Sequence, residues 1–275
     1  MDMWRLQYSM QCNPQFPSRP STVKELLKRK KTQSHQESKA AFDDIGAGTM
    51  VDFVHSDQTI QQIVDCMFGE KTESGLKHRA DMLLCLGFSS RGDSIRKLRL
   101  PNIGLISFAD EGVCGAKLLR CVWRKPKRNQ FGNIEETALM RHREAQRCPF
   151  DALALYFFSR WHVGDEPWPD FSDRSTWYPI YVLKGANAVT KSTYPQQYAA
   201  MNEVYRILGV QSSVKTQPGR KQASAAENKG ASASSVDRQS HWATKSRVGA
   251  YAKHSIPFDC DLDQNQADII YHVLC

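Results

Sequence analysis

The amino-acid sequence predicts an α+β protein that is mainly α-helical, with a small antiparallel sheet or hairpin. Three stretches carry this expectation. "CPFDALALYFFSRW" places Leu153, Phe157 and Trp161 at i, i+4, i+8 along one helix face, behind Pro149 at a first-turn position. "HSDQTIQQIVDCMFGE" sets Ile60, Ile63, Val64 and Met67 on one face, after a capping Ser56 or Asp57 and with Gly69 near its end. "GLISF" and "AKLLRCVW" are short β-like runs around a polar link, which is the pattern of a hairpin.

The remaining elements follow in chain order. Residues 1–41 read as a basic, weakly ordered segment punctuated by Pro and Ser, with one short helix from Ser21 through "TVKELLKRKK". A basic arm on nucleic acid and a plain tail both fit it. Residues 42–258 form the main domain, and 259–275 a C-terminal tail. In the domain, "FDDIGAGTMVDF" is a glycine-containing turn. "GLKHRADMLLCLGFSSRGDSIRKLRLPNI" gives two helices, broken at "GFSSRG" and stopped by Pro101. The basic "RKPKRNQFGN" projects from the end of the hairpin. "WHVGDEPWPDFSDRSTWYPIYVL" is a Pro/Trp-rich loop, and a helix runs from about Ser192 to Leu208. After it, "SSVKTQPGRKQASAAENKGASASSVDRQS" has the composition of a flexible linker. Against that reading, "GRKQASAAENKG" is a helix-length run of small residues closed by glycine, and "ASASSVDRQ" suits a cap and a further helix.

Bulk composition narrows the function classes. With 275 residues, 41% hydrophobic and 10% aromatic, the chain is long and apolar enough to bury a core. No run approaches the roughly 18 apolar residues of a membrane span, so no membrane partner is expected. "MDMWRLQYSMQCNPQ" lacks a secretory apolar region. Eight scattered cysteines without a C-x-x-C suggest reduced thiols in an intracellular protein and no metal site; no small-molecule cofactor is expected. The net charge of +8 is clumped: residues 120–147 carry eight Lys/Arg against three Glu, and residues 210–250 seven against two acids. Clumped positive charge suits a polyanion, because each neutralised phosphate releases counterions. A merely soluble basic surface is the plainer alternative.

Several stretches occur in a telling order: "FDDIGAGTMVD", "SSRGDSIRKLRLPNI", "PKRNQFGN", "MRHREAQRCPFDALALYFFSRW", "EPWPDFSDRSTWY", "KTQPGRK", "GASASSVDRQSHW" and "YAKHSIP". In that order, over roughly residues 42 to 257, the chain resembles the tyrosine recombinases of fungal Crypton elements. It also resembles the related DNA-binding domain, domain 2, of the yeast centromere DNA-binding kinetochore protein. The resemblance implies a tyrosine-recombinase catalytic-domain-like fold, double-stranded DNA as partner, a nuclear location and an origin in a transposable element. A homo-oligomer on DNA is compatible with it.

The resemblance also assigns roles. Two arginines hold the non-bridging phosphate oxygens as negative charge builds in the transition state, which a permanently charged, bidentate guanidinium does well. Arg91 in "SSRGDSIRKL" matches the first, although a surface arginine at a helix start is the ordinary alternative. The second closes a His-x-x-Arg motif. Here the stretch is "QPGR", which keeps Arg220 and puts Gln217 where the histidine belongs. A glutamine amide holds a hydrogen bond but exchanges no proton, and general acid–base catalysis contributes roughly 10²–10⁴-fold. Lys127 matches the lysine that protonates the leaving 5′ oxygen, with Lys125 and Arg128 adjacent. His241 or Trp242 contacts the phosphate. Tyr251, nine residues after Trp242, is the matching nucleophile, attacking phosphorus to give a 3′-phosphotyrosine; a surface helix with its ring on the core is the alternative. Arg124, Lys125, Lys127, Arg128, Lys215, Arg220 and Lys221 form the expected DNA contacts.

Three functions remain in view: a DNA-binding domain with impaired catalysis, an active strand-cleaving and rejoining recombinase, and a basic protein-interaction scaffold. Gln217 favours the first. So do the roughly 45 residues that stand where the family has a separate core-binding domain, and the short stretch beyond Tyr251.

Overall fold

The computed structural model describes residues 21–40, 55–109, 116–124, 134–212, 215–228 and 230–240. The chain divides into two compact units, residues 1–45 and 46–275. The first contains α1, Ser21–Ala40. It starts where the sequence predicts and continues well past "TVKELLKRKK". Its described side chains are exposed apart from a half-buried Val23, and Leu26 is 65% exposed.

The second unit is mainly helical with one small sheet, as predicted. Helix α2, Asp57–Gly69, begins because the Ser56 hydroxyl accepts the Thr59 N–H at 3.1 Å. Lys71, at φ 52°, turns the chain into α3, Glu73–Gly87, capped by Thr72. After α3 come a short α4, Gly92–Arg96, and a 3₁₀ turn at Leu100–Asn102. Strands β1 (Ile103–Phe108), β2 (Ala116–Arg124) and β3 (Ile134–Met140) form an antiparallel sheet in that order. Leu119 pairs with Leu105 on one side and Leu139 on the other. The hairpin expected from sequence is β1–β2, and β3 extends it. The basic "RKPKRNQFGN" therefore connects two strands, from Arg124 to Ile134.

Helix α5, Pro149–Phe158, relaxes at its end into a π turn, Ser159–Val163. A one-turn α6, Arg174–Trp177, and a long α7, Tyr194–Leu208, follow. Helix α7 has a Thr193/Gln196 capping box and ends at Gly209, where φ of 65° suits glycine. The segment with linker-like composition instead forms α8, Pro218–Asn228, and α9, Ala233–Ser240.

Two clusters make the core. The larger joins α2, α3 and α5 to the inner face of the sheet and to Ile180, Val182 and Leu183. The smaller packs Ile63, Met67 and Met82 against Met201, Val204 and Tyr205 of α7. Of the predicted stripe, Leu153 is buried, whereas Phe157 and Trp161 are half-buried and pack against this core.

A buried polar chain crosses the interface between α3, α4 and α7. Gln197 Nε2 donates to Asp81 Oδ2 at 2.6 Å, Arg96 Nη1 donates to Gln197 Oε1, and the Cys85 thiol donates to Asp81 Oδ1 at 3.7 Å. Gly92 leaves room for that amide, since a Cβ there would lie 2.5 Å from Gln197 Oε1. Burial pushes the Asp81 pKa up to about 6, against the Gln197 hydrogen bond and the Arg96 charge, which pull it down. The folded state therefore binds this proton more tightly than the unfolded chain. Asp81 contributes its full stabilisation below about pH 4 and loses it as pH rises through about 6. Asp81→Asn keeps an acceptor for Gln197 but has no such titration. Urea unfolding at pH 4 and pH 7 is expected to show the variant gaining about 2–3 kcal/mol on the parent over that span. A constant difference between the two chains would contradict the assignment.

Candidate DNA-phosphate site

The C-terminal end of α3 is where distant parts of the chain meet. Ser89, in the left-handed region at φ 49°, closes the helix: its N–H donates to Leu86 O, and the Ser90 N–H to Cys85 O at 3.0 Å. This is a Schellman ending built on serine instead of glycine, and two residues later the chain reaches Arg91. Arg91 is half-buried and occupies the N-cap of α4 with extended backbone, φ −81° and ψ 146°. The Asp81–Gln197–Arg96 chain braces the helix that Arg91 begins.

Onto the same helix end comes the start of α8. A Cβ on Gly219 would lie 1.8 Å from Cys85 O and 2.5 Å from Cys85 C, so only glycine permits this approach. Pro218 and Gly219 are buried, Arg220 is half-buried and Gln217 is exposed. Gln222 Nε2 donates to His55 O at 3.1 Å and ties α8 to the chain entering α2. Helix α9 arrives too, with Gln239 Nε2 donating to Gly87 O at 3.0 Å. The sheet completes the junction. A Gly87 Cβ would lie 2.7 Å from Leu139 Cδ1, and the Phe88 and Trp123 rings meet edge to face at 5.7 Å. Trp123 stands next to the end of β2, so that strand end lies beside Phe88.

Arg91 and the Gln217–Arg220 stretch are thus brought to one helix end. Of the remaining predicted site residues, Arg124 is described as backbone at the end of β2 and Lys221 as backbone in α8. Lys215 is half-buried, donates to Asn202 Oδ1 and lies 5.8 Å from the Tyr198 ring centroid. Lys125, Lys127, Arg128, His241, Trp242 and Tyr251 lie outside the described residues.

Local electrostatics mark this junction. The first turn of α8 holds Arg220 and Lys221 and no acid, whereas Arg91 at the start of α4 is followed by Asp93 in that helix's first turn. Helix N-termini carry partial positive charge and favour anions, so cations there are locally unfavourable. An anion in front of the α8 start relieves that conflict. Gly219, Ser89 and the Asp81–Gln197–Arg96 chain did not emerge from the sequence. Only Gly219 left a trace, as a glycine just after a helix-starting proline, where alanine would be the better helix former. Among the described residues no cluster of His, Cys, Asp and Glu suited to a metal occurs, and no helix is long and apolar enough to cross a membrane.

None of the curated proteins matches the chain. Among solved structures, the XerH site-specific recombinase bound to difH substrate in a pre-cleavage complex matches over 70% of this chain and 48% of its own, at 9% identity and a TM-score of 0.49. The FLP recombinase–Holliday junction complex matches over 94% of this chain and 59% of its own, at 13% identity and a TM-score of 0.46. The chain spans about half the length of these recombinases. A sequence family covers nearly all of it, matching residues 8–271. By that match the chain belongs to the family described as the centromere DNA-binding protein complex CBF3 subunit, domain 2.

Proposed function

We propose that this domain binds double-stranded DNA by seating a backbone phosphate at the C-terminal end of α3, between Arg91 and Arg220. The observation that carries the reading is the convergence there of the Arg91 turn, the start of α8 and the sheet end that leads into the basic β2–β3 connection. Family membership points the same way, since the family is described as DNA-binding. In this reading Lys127 and its neighbours Arg124, Lys125 and Arg128 clamp the adjoining backbone, while Lys215 and Lys221 extend the cationic surface. Gln217 holds the phosphate through its amide and exchanges no proton, so strand cleavage is impaired. A tyrosine-recombinase-like, Crypton-type origin, a nuclear location and assembly as a homo-oligomer on DNA belong to the same proposal.

The second reading is an active strand transferase. The Tyr251 hydroxyl releases its proton to water as its oxygen attacks phosphorus, the bond to the 5′ oxygen breaks as that oxygen takes a proton from Lys127, and a 3′-phosphotyrosine holds the strand until the reverse attack. Retention of Arg91, Lys127, Arg220 and Tyr251 favours it. A pool of nicked duplexes that trap phosphotyrosine separates the two readings on a denaturing gel. The expected result is salt-sensitive binding without a covalent band, and a band in Gln217→His that disappears when Tyr251→Phe is added. A band from the unaltered chain, lost in Tyr251→Phe, would establish the second reading. Binding indifferent to salt would leave a protein scaffold instead.

A further inference from the structure

On a basic chain, residues 163–173, "VGDEPWPDFSD", hold four acids and no base. Arg160, fully buried, fixes this segment: Nε donates to Glu166 Oε2 at 3.0 Å, Nη2 to Glu166 Oε1, and Nη1 to the Tyr181 and Val182 carbonyls at 2.9 and 3.0 Å. Lys184 joins from the other side, 2.9 Å from Glu166 and 2.7 Å from Glu73. Glu166 is therefore occupied in holding the loop. Asp165, Asp170 and Asp173 remain exposed and make no salt bridge among the described residues. Hydrogen bonds from Ser172 and Ser175 hold the Asp170 and Asp173 carboxyls below the ordinary range, so both carry charge at neutral pH.

Between these acids stands a row of rings. Trp168 meets Trp161 at 5.2 Å, His162 at 5.5 Å and Phe171 at 5.9 Å, yet it remains 58% exposed. Phe158, 56% exposed, extends the row through His162, and Tyr178 through Trp177. Pro167 and Pro169 bracket Trp168 and fix its backbone. A rigid, exposed tryptophan loses little freedom on binding, which is the character of an interface anchor. Nucleic acid is the wrong occupant, because three exposed carboxylates repel phosphates. A cation is the right one: Lys and Arg side chains stack on Trp, Phe and Tyr faces and pair with carboxylates at their rim.

We propose that this acidic aromatic face docks a lysine/arginine-rich segment of a partner protein, with Trp168 as the anchor that the cationic side chains stack against. It is a protein-binding surface, chemically opposite to the basic junction at the end of α3.

The test probes the full chain with an array of twelve-residue peptides carrying four or more Lys/Arg. Acidic peptides, and overlapping peptides from residues 21–40 of this chain, serve as comparisons. Trp168→Ala removes the anchor without changing charge, and Asp165→Asn removes one exposed rim carboxylate that makes no salt bridge among the described residues. Binding to a subset of basic peptides is expected to fall about tenfold in Trp168→Ala and measurably in Asp165→Asn, with duplex-DNA affinity unchanged in both. Equal peptide binding by parent and Trp168→Ala would overturn the proposal, as would preference for acidic peptides or a matching loss of DNA binding. Selective binding of the residue 21–40 peptides would overturn the foreign partner and make the occupant a second copy of this chain. Because Trp168 is exposed, the variant's thermal midpoint is expected to stay with the parent's. If it falls, Asp165→Asn alone decides, and no loss of peptide binding there overturns the proposal.

Discussion

Replacing Arg91 and Arg220 together with alanine is expected to weaken duplex-DNA binding by roughly a hundredfold or more, since each charge-assisted hydrogen bond contributes about 1.5–3 kcal/mol. The salt dependence is the sharper reading. Each phosphate contact contributes about 0.9 to the slope of log affinity against log salt, so losing two lowers the slope by about 2. Titrations between about 50 and 200 mM salt measure both quantities. Arg91→Lys sorts the contributions, because it keeps the charge and the slope but loses the planar bidentate fork. An unchanged slope in the double variant would mean that no phosphate sits between these residues.

Gly219→Ala is the second large effect, and it comes from backbone geometry. The added methyl carbon would lie 1.8 Å from Cys85 O, a backbone atom that also accepts the Ser90 N–H and has no freedom to yield. Helix α8 must move instead. Overpacking of this kind costs about 1–3 kcal/mol, more than the roughly 1 kcal/mol that alanine gains over glycine inside a helix. The expected result is a loss of DNA affinity, as Arg220 moves with α8, together with a thermal midpoint lowered by several degrees. Gly69→Ala is the control: nothing lies within 4 Å of its added carbon, so it leaves both quantities unchanged or slightly improved. DNA affinity unaffected by Gly219→Ala would separate Arg220 from the site.

How much of this was legible in sequence follows from what each feature depends on. Caps and apolar stripes are local, so α2, α3 and α5 stand where Ser56, the "GFSSRG" break and Pro149 put them. Strand β3 was missed because its inward positions alternate Thr137 with Leu139. Thr137 is buried only because its hydroxyl accepts the Trp123 indole N–H at 2.8 Å, a partner on another strand. The α8 segment looked like linker because its small residues carry little hydrophobic signal. They are small because α8 lies against the end of α3, where Gly219 touches backbone. The Asp81–Gln197 bond joins residues 116 apart in sequence, and no spacing rule connects them. Arg91, Gln217 and Arg220 were located through an ordered set of short stretches, and the structure adds that two of those stretches share one helix end. Tyr251, His241, Trp242 and Lys127 rest on sequence alone.

The meeting of α3 and α8 also bears on the order in which the molecule assembles. Cys85 and Gly219 are separated by nearly half the chain, and closing so long a loop has to precede any reward from the contact. Helices α8 and α9 bring little apolar surface of their own to that closure, a cluster centred on Ala226 and Val236. Their docking is therefore expected to be the late, shallow step of folding, laid on a core built by α2, α3, α5 and the sheet. A ligand that bridges Arg91 and Arg220 would act as a clasp across this closure, so that occupancy and completion of the native state rise and fall together.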